Sequence, residues 1–296
     1  MISIANSLDP GQLAAVVAVV EEGSFEKAAA RLHVTRSAIS QRIKQLELRL
    51  GQIVIRRGTP CRPTVAGEAL LRYGKQVEFL SDEASRELAA SVGQSSTVAI
   101  AVNADSLATW FLAAIAPFTA SAAHMFELLV DDQDHTAAML RAGRVLAAVT
   151  AEPHPVQGCN VEPLGAMRYV AVASPEFLSQ HFPRGVTAHA LAEAPTLTFN
   201  RKDRLQAQIL EKLTGHPLSP PIHWIPSPHG FVEAALLGIG WGTVPASMAA
   251  PYLRTATLRR LRRDAVLDVP LFWQHWRLDT PLMRDLTRAV VTASLS

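Results

Sequence analysis

The chain has 296 residues, 49% hydrophobic and 18% charged, which excludes a disordered protein and, at roughly 100–200 residues per domain, predicts at least two domains. Its 28 basic and 26 acidic side chains leave a net charge of only +2, so the whole-chain balance alone gives no reason to expect a nucleic-acid or membrane partner. Two cysteines, Cys61 and Cys159, cannot build a disulfide framework. The first residues carry no signal-peptide pattern, and the longest apolar run, Leu13 to Val20, is eight residues, against roughly 20 for a spanning helix. A soluble protein of a reducing compartment is expected.

The charge is unevenly placed. Residues 1–65 hold nine basic and five acidic side chains (+4), residues 66–90 three and five (−2), and the remainder sixteen of each. Within the basic segment, Gly11 to Glu22 places Leu13, Val16, Val17 and Val20 on one helical face and stops at Gly23. Ser24 precedes a second helix with Phe25, Ala28, Ala29 and Leu32 inward. After His33–Val34, Thr35 caps a third helix. Ala38, Ile39, Ile43, Leu46 and Leu50 lie on its inner side; Arg36, Ser37, Ser40, Gln41 and Lys44 face outward.

Two helices separated by so few residues suit a helix-turn-helix, whose later helix enters the major groove. The exposed types fit that task. Arg36 has the donors for a guanine edge and Gln41 for adenine, Ser37 and Ser40 adapt to either, and Lys44 suits a phosphate. The alternative for these residues is an ordinary solvated helix face; the tight spacing and the local +4 favour DNA. Beyond Gly51, Ile53–Ile55 reads as a strand, 56–60 as a turn and 62–64 as its return. This makes a wing on which Arg56, Arg57 and Arg62 can reach phosphates or the minor groove.

The run AAARLHVTRSAISQRIKQLELRLG, with the arginine-bearing wing and RPTVAGEALL, resembles the winged helix-turn-helix of LysR-type transcriptional regulators over about residues 9–90. The resemblance implies a bacterial DNA-binding regulator with a linker helix and an effector domain. In the residues themselves, Thr64 can cap a helix from Val65 to about Ala90, with apolar positions Leu70, Leu71, Val77, Phe79, Leu80, Ala84 and Leu88. A helix this long, with little neighbouring sequence to bury it, suits pairing with a second copy; docking on its own domain is the alternative. Residues 91–96 read as a hinge.

From Thr97 short apolar strands alternate with helices, which predicts parallel βαβ sheets. Strands are expected at 98–102, 126–130, 146–149, 169–173, 196–199, 222–225 and 267–274. Helices are expected from Asp105 or Ser106 to Ile115, then at 136–142, 175–180, 188–193, 229–237 and 281–293. The predicted fold is α/β with an N-terminal all-α winged helix-turn-helix (1–64) and a linker helix (65–90). The effector domain (91–296) resembles periplasmic binding proteins, with two subdomains at about 97–160 plus 226–296, and 161–225.

Ligands of such sheets sit beyond the carboxyl ends of strands. Asn103, Ala104, Asp105 and Ser106 form the first strand-to-helix loop, where N–H groups would favour a carboxylate. Asp131, Asp132 and Asp134 close the second strand and offer a carboxylate to an ammonium, although turn or cap duty is the commoner role of such aspartates. Thr150, Asn200 and Ser227 end later strands as polar contacts. The stretches AVNADSLATWF, VDDQDHT, FVEAALLGIGWGTVP and DVPLFWQHW are similar to the LysG/ArgP group of LysR-type regulators. That resemblance implies a lysine, arginine or histidine effector and control of a basic-amino-acid exporter gene. It implies no cofactor or metal, and as partners double-stranded promoter DNA, an amino acid, a second copy (homodimer, extending to a tetramer) and RNA polymerase. It also implies a cytoplasmic site and no membrane.

Three other readings compete. The first is a LysR-type regulator whose effector is a different small carboxylate. A solute-binding protein would share the C-terminal architecture, but the attached helix-turn-helix argues against it. An enzyme would need a catalytic motif. Gly238-Ile239-Gly240-Trp241-Gly242 lacks the G-x-G-x-x-G spacing and follows a helix, so it reads as a turn into a strand. The ten histidines are scattered, and Cys159, placed in a loop, has no activating base.

Overall fold

A computed structural model describes residues 8–88, 96–119, 124–131 and 136–294. Contacts group them into two compact units, one containing the described residues up to Ile100 with short segments of 121–127 and 138–147, the other 101–120, 128–137 and 148–296.

In the first unit, α1 (Pro10–Glu22) opens with Pro10 at its first turn and the Asp9 carboxylate accepting from Gln12 N at 2.9 Å. It ends at Gly23, whose φ of +64° a side chain would strain. The Ser24 hydroxyl caps α2 (Phe25–Arg31), and Thr35 Oγ1 caps α3 (Arg36–Leu50) by accepting from Ala38 N at 3.2 Å. Such caps contribute about 1 kcal/mol each. The core packs Leu13, Val16, Val19, Ala28, Ile39, Ile43, Leu46 and Val54; α1 is buried beyond the predicted face, at Ala15, Ala18 and Val19 as well as Leu13, Val16 and Val17, while Val20 is half-buried.

The wing is an antiparallel pair of two-residue strands, β1 (Ile55–Arg56) and β2 (Arg62–Pro63), with Arg56 directly opposite Arg62. Glu47 ties it to α3, its Oε1 accepting from Val54 N at 2.8 Å and Ile55 N at 3.3 Å. Thr64 caps α4 (Val65–Leu88), accepting from Gly67 N at 3.1 Å. Gly67 lies against the Val54 carbonyl and Gly74 against Val17, which explains why neither position carries a side chain.

From residue 96 onward the chain builds a seven-stranded sheet. Its strands include β3 (Ser96–Asn103), β4 (His124–Asp131), β5 (Ala147–Thr150) and the long β6 (Cys159–Ala173). After β3 come a three-residue helix, α5 (Ala104–Ser106), a π-helical turn at Leu107–Phe111, and α6 (Leu112–Thr119). Helix α7 (Thr136–Arg141) follows β4. Beyond β6 run α8 (Pro175–His181), α9 (Ala188–Glu193), β7 (Thr196–Thr198), α10 (Leu205–Thr214) and β8 (Ile222–Trp224). The chain continues through α11 (Pro228–Leu236), β9 (Gly242–Pro245), α12 (Ala246–Arg254), β10 (Arg259–Arg260), β11 (Val266–Trp276) and α13 (Pro281–Ser294). The order across the sheet is β10-β6-β11-β5-β3-β4, with β9 also on β6.

Four expectations are corrected. The sheet is not uniformly parallel: β9, β10 and β11 all pair with β6 antiparallel, while β7 and β8 form a separate parallel pair. Cys159 is not in a loop but is the buried first residue of β6. Helices α10 and α12 were not anticipated; Pro251 inside α12 breaks the usual sequence signal. Finally, Phe231, Val232, Ala234, Ala235, Val244, Ala249 and Leu258 form one core with Val170, Val172 and Leu197. Residues 226–258, expected in the first subdomain, therefore pack with the segment assigned to the second. The glycine run behaves as expected: Gly238, at φ +70°, ends α11, and Gly242 opens β9 flush against Phe231.

Candidate DNA-reading surface and effector cavity

On the first unit, α3 buries Ile39, Ile43 and Leu46 and exposes Arg36, Ser37, Gln41 and Lys44; Ser40 is half-buried. Thr35 is committed to the cap, and its hydroxyl also meets that of Ser37 at 2.9 Å. Arg36 Nε lies 2.8 Å from Glu26 Oε1, both side chains well exposed. Such a pair is weak, so Arg36 can exchange it for a base edge at little cost. The Glu26 carboxyl sits below its ordinary range, held there first by its own backbone N–H, then by the Ser24 hydroxyl and Arg36.

Arg57 differs from its wing neighbours. Its guanidinium donates to Ser40 Oγ at 3.3 Å and lies over the Phe25 ring, 5.1 Å from the centroid. It therefore extends the surface of α3. Arg56 and Arg62 are exposed and opposed across the hairpin. Like charges so placed repel, and a bridging phosphate would relieve the repulsion. Glu47 and Glu26, which position this surface, were not singled out in the sequence because neither reaches outward to a ligand.

The second unit holds a cavity of about 340 Å³, within the range of small-molecule sites. Its walls are Asn103–Asp105 at the start of α5, Phe199 and Lys202–Leu205 between β7 and α10, Thr243–Pro245 of β9, and Asp268–Pro270 at the bulge of β11. Three carboxylates, Asp105, Asp203 and Asp268, and two cations, Lys202 and Arg204, line it.

Each carboxylate is held in place. The Tyr169 hydroxyl donates to Asp105 Oδ2 at 2.7 Å. Tyr169 is fully buried; burial, then the charge of Asp105, its hydrogen bond and Asp203 push the phenol well above its ordinary pKa, so it stays a donor. Asp203 accepts from Phe199 N at 3.0 Å and Leu205 N at 2.9 Å. Asp268 accepts two bonds from Arg168, at 2.8 and 3.0 Å, which hold its carboxyl below its ordinary range. Buried Thr243 lines the cavity with a hydroxyl that has no hydrogen-bond partner among the described residues.

Of the predicted ligand contacts, Asn103, Ala104 and Asp105 line this cavity. Ser106 is fully buried and does not; its hydroxyl lacks a partner among the described residues. Neither it nor Asp105 caps the helix: Asn103 occupies the cap position and makes no capping hydrogen bond with its side chain. Three others do local work instead. Thr150 Oγ1 accepts from Glu152 N at 3.1 Å, Asn200 Oδ1 accepts from Lys202 N at 2.7 Å and Asp203 N at 3.1 Å, and Ser227 caps α11. These turn and cap roles are the ordinary uses of such residues. Asp131 is the last residue of β4; Asp132 and Asp134 lie outside the described residues. Tyr169, Asp203, Thr243 and Asp268 were missed. Asp268 alone carried a signal, as an isolated charge opening the apolar stretch DVPLFW.

The N-terminal segment matches the model for bacterial regulatory helix-turn-helix proteins of the lysR family over residues 10–68, and the LysR substrate binding domain matches residues 91–294. The chain is 46% identical over 288 residues to the transcriptional regulator LysG of Mycobacterium tuberculosis, covering 97% of this chain and 94% of that one. It is 43% identical over 277 residues to ArgP of Pseudomonas aeruginosa, covering 93% and 92%. Among solved structures, ArgP from Mycobacterium tuberculosis superposes with a TM-score of 0.89 at 45% identity over 97% of both chains. Full-length LysG from Corynebacterium glutamicum with bound effector arginine gives 0.83 at 35%, covering 97% and 98%. A regulatory helix-turn-helix joined to a substrate-binding domain, matched along nearly all its length by transcriptional regulators, places this chain in the LysR family.

Proposed function

We propose that this LysR-type transcriptional regulator senses a basic amino acid, lysine, arginine or histidine, and controls the gene of a basic-amino-acid exporter. The observation that carries the reading is the carboxylate-lined cavity of amino-acid size in the second unit, in a chain whose LysG relative holds arginine as effector. Arg36, Ser37, Ser40 and Gln41 read base edges, with Thr35 fixing the start of their helix. Lys44, Arg56, Arg57 and Arg62 engage phosphates, or in the wing the adjacent minor groove. Exposed Val65, Tyr73 and Leu80 recur at seven- to eight-residue steps along α4, which supports pairing of two copies and, through them, of two half-sites. Further association to a tetramer and contact with RNA polymerase at the promoter fit the same reading. No described helix is long and apolar enough to cross a membrane, and the site of action is the cytoplasm, with the DNA.

The effector acts by binding one arrangement of the oligomer more tightly than another, and so shifts the population of DNA-bound forms. Gel-shift titration of the protein's own upstream DNA, with and without lysine, arginine, histidine or leucine, tests the reading. Affinity should fall steeply with salt and respond to the basic amino acids alone. Equal binding to random duplex refutes the regulator; equal response to leucine, or to small carboxylates without a cationic end, refutes the effector class.

A further inference from the structure

We propose that Arg254, Arg259, Arg260 and Arg263, in the second unit, form a phosphate-binding surface that holds duplex DNA beyond the sites read by the helix-turn-helix. The inference rests on the DNA-binding reading above and adds a surface which that reading does not use. Residues 254–264 carry five arginines against one acid, Asp264. That net +4 in one short segment equals the excess of the whole stretch 1–65. Residues beyond 90 balance overall, so the positive charge of that part of the chain is concentrated here.

The backbone that carries these arginines is fixed. Arg254 ends α12, and a tight turn follows with Ala256 at φ +58°. The Thr255 hydroxyl donates to the Pro251 carbonyl and that of Thr257 to the Tyr252 carbonyl, both at 3.3 Å. Strand β10, which holds Arg259 and Arg260, lies at the edge of the sheet and pairs with β6, while Leu258 and Leu261 on either side of it are buried. Arg262 is committed to Asp264, its Nε 2.9 Å from Oδ1. The other four arginines are exposed and make no ion pair or side-chain hydrogen bond among the described residues. A charged edge strand deters pairing with another sheet, but Arg259 and Arg260 already serve that purpose, and it does not extend to Arg254 or Arg263. A protein partner would call for an apolar or aromatic anchor at the centre of the contact, and no exposed large apolar side chain among the described residues lies between 251 and 264. Arginine grips phosphate oxygens through paired N–H donors, and a phosphate backbone needs no shaped pocket. Duplex DNA is the polyanion that a regulator of this family already binds.

The test uses the full chain in gel shifts over a range of salt, with two duplexes: the operator alone, and the operator extended by about two helical turns on each side. Wild type should bind the longer duplex more tightly and with the steeper salt dependence. The triple variant Arg259→Gln, Arg260→Gln, Arg263→Gln should lower the magnitude of the salt slope on the longer duplex by about 2–3 and leave the operator alone bound as before. Arg262→Gln, which removes an arginine already paired with Asp264, should change the slope on neither duplex. Thermal melts of the variants should match wild type, since the replaced side chains are exposed. A triple variant that matches wild type on the longer duplex, or loses equally on both, overturns the surface. Unchanged DNA binding with weakened transcription in a reconstituted reaction also overturns it, and makes the patch a contact for an acidic protein. Wild-type protein that binds neither duplex above random DNA refutes the underlying regulator reading instead.

Discussion

Replacing Gly67 by alanine sets a general rule against a specific contact. Gly67 lies in the first turn of α4, where alanine normally gains about 1 kcal/mol over glycine. A methyl there would stand 2.0 Å from the Val54 carbonyl oxygen and 3.1 Å from Pro63 Cβ. The obstacle is backbone, so it cannot rotate aside; either α4 or the wing must shift. Overpacking of this kind costs about 1–3 kcal/mol, and backbone against backbone belongs at the upper end, so the net change is about 2 kcal/mol of destabilisation. The shift also falls where Glu47 holds Val54 N and Ile55 N, and so displaces Arg56, Arg57 and Arg62 from the α3 surface. The measurement is a thermal melt followed by signals of the helical head, with operator affinity by gel shift at fixed salt. Gly58→Ala serves as control, since its methyl would meet nothing closer than 3.4 Å. Gly67→Ala should melt lower and bind DNA more weakly, and Gly58→Ala should do neither. A Gly67→Ala protein as stable as wild type, with unchanged operator affinity, would refute the claim that this contact seats the wing.

Arg62→Ala should lower the magnitude of the salt slope of operator binding by about 1, while leaving the free protein as stable or slightly more so, since it removes the repulsion with Arg56; an unchanged slope would take Arg62 off the phosphates. Arg57→Ala should cost more affinity than Arg62→Ala in parallel gel shifts, because Arg57 is pre-ordered by Ser40 and Phe25; the reverse ranking would show that this ordering does not serve DNA. Burial, partly offset by the Trp276 carbonyl and Glu162, holds His275 below its ordinary value of 6.5. The unfolded chain then takes up a proton before the folded one, so this residue's contribution is full above about pH 6.5 and is lost as pH falls towards the folded pKa. Melting midpoints from pH 8 to 5 should drop across that interval in wild type and less in His275→Gln; identical profiles would remove His275 as the cause.

How far the sequence carried depended on whether a residue's role was local. The head was legible almost to the residue: capping by Ser24, Thr35 and Thr64, the stops at Gly23 and Gly51, and the inward faces of α1 to α3 are set by neighbours three or four positions away. Most strands beyond residue 96 were found for the same reason, but β10, residues 159–168 of β6 and the strand directions were not. Antiparallel pairing of β6 with β11 joins residues about a hundred apart, such as Arg168 and Asp268, and no local pattern distinguishes it from the parallel alternative. Three ends of strands taken as ligand positions do not line the cavity. Thr150, Asn200 and Ser227 are short polar residues that satisfy backbone groups beside them, which is what such residues do at chain reversals whether or not a ligand is near.

The cavity shows the cost of reading charge by count. Residues beyond 90 carry equal numbers of acids and bases, and on that basis the sensor is neutral. At the cavity both signs come together. Asp105 comes from the β3–α5 junction and Asp268 from the bulge of β11, while Lys202 and Arg204 come from the loop before α10, with Asp203 between them. A zwitterion with a further positive end needs both signs in one small volume. Asp203 accepts from backbone N–H groups, Asp105 from a phenol and Asp268 from Arg168. A ligand cation therefore meets carboxylates that the fold already holds in place, which lowers the cost of ordering them on binding.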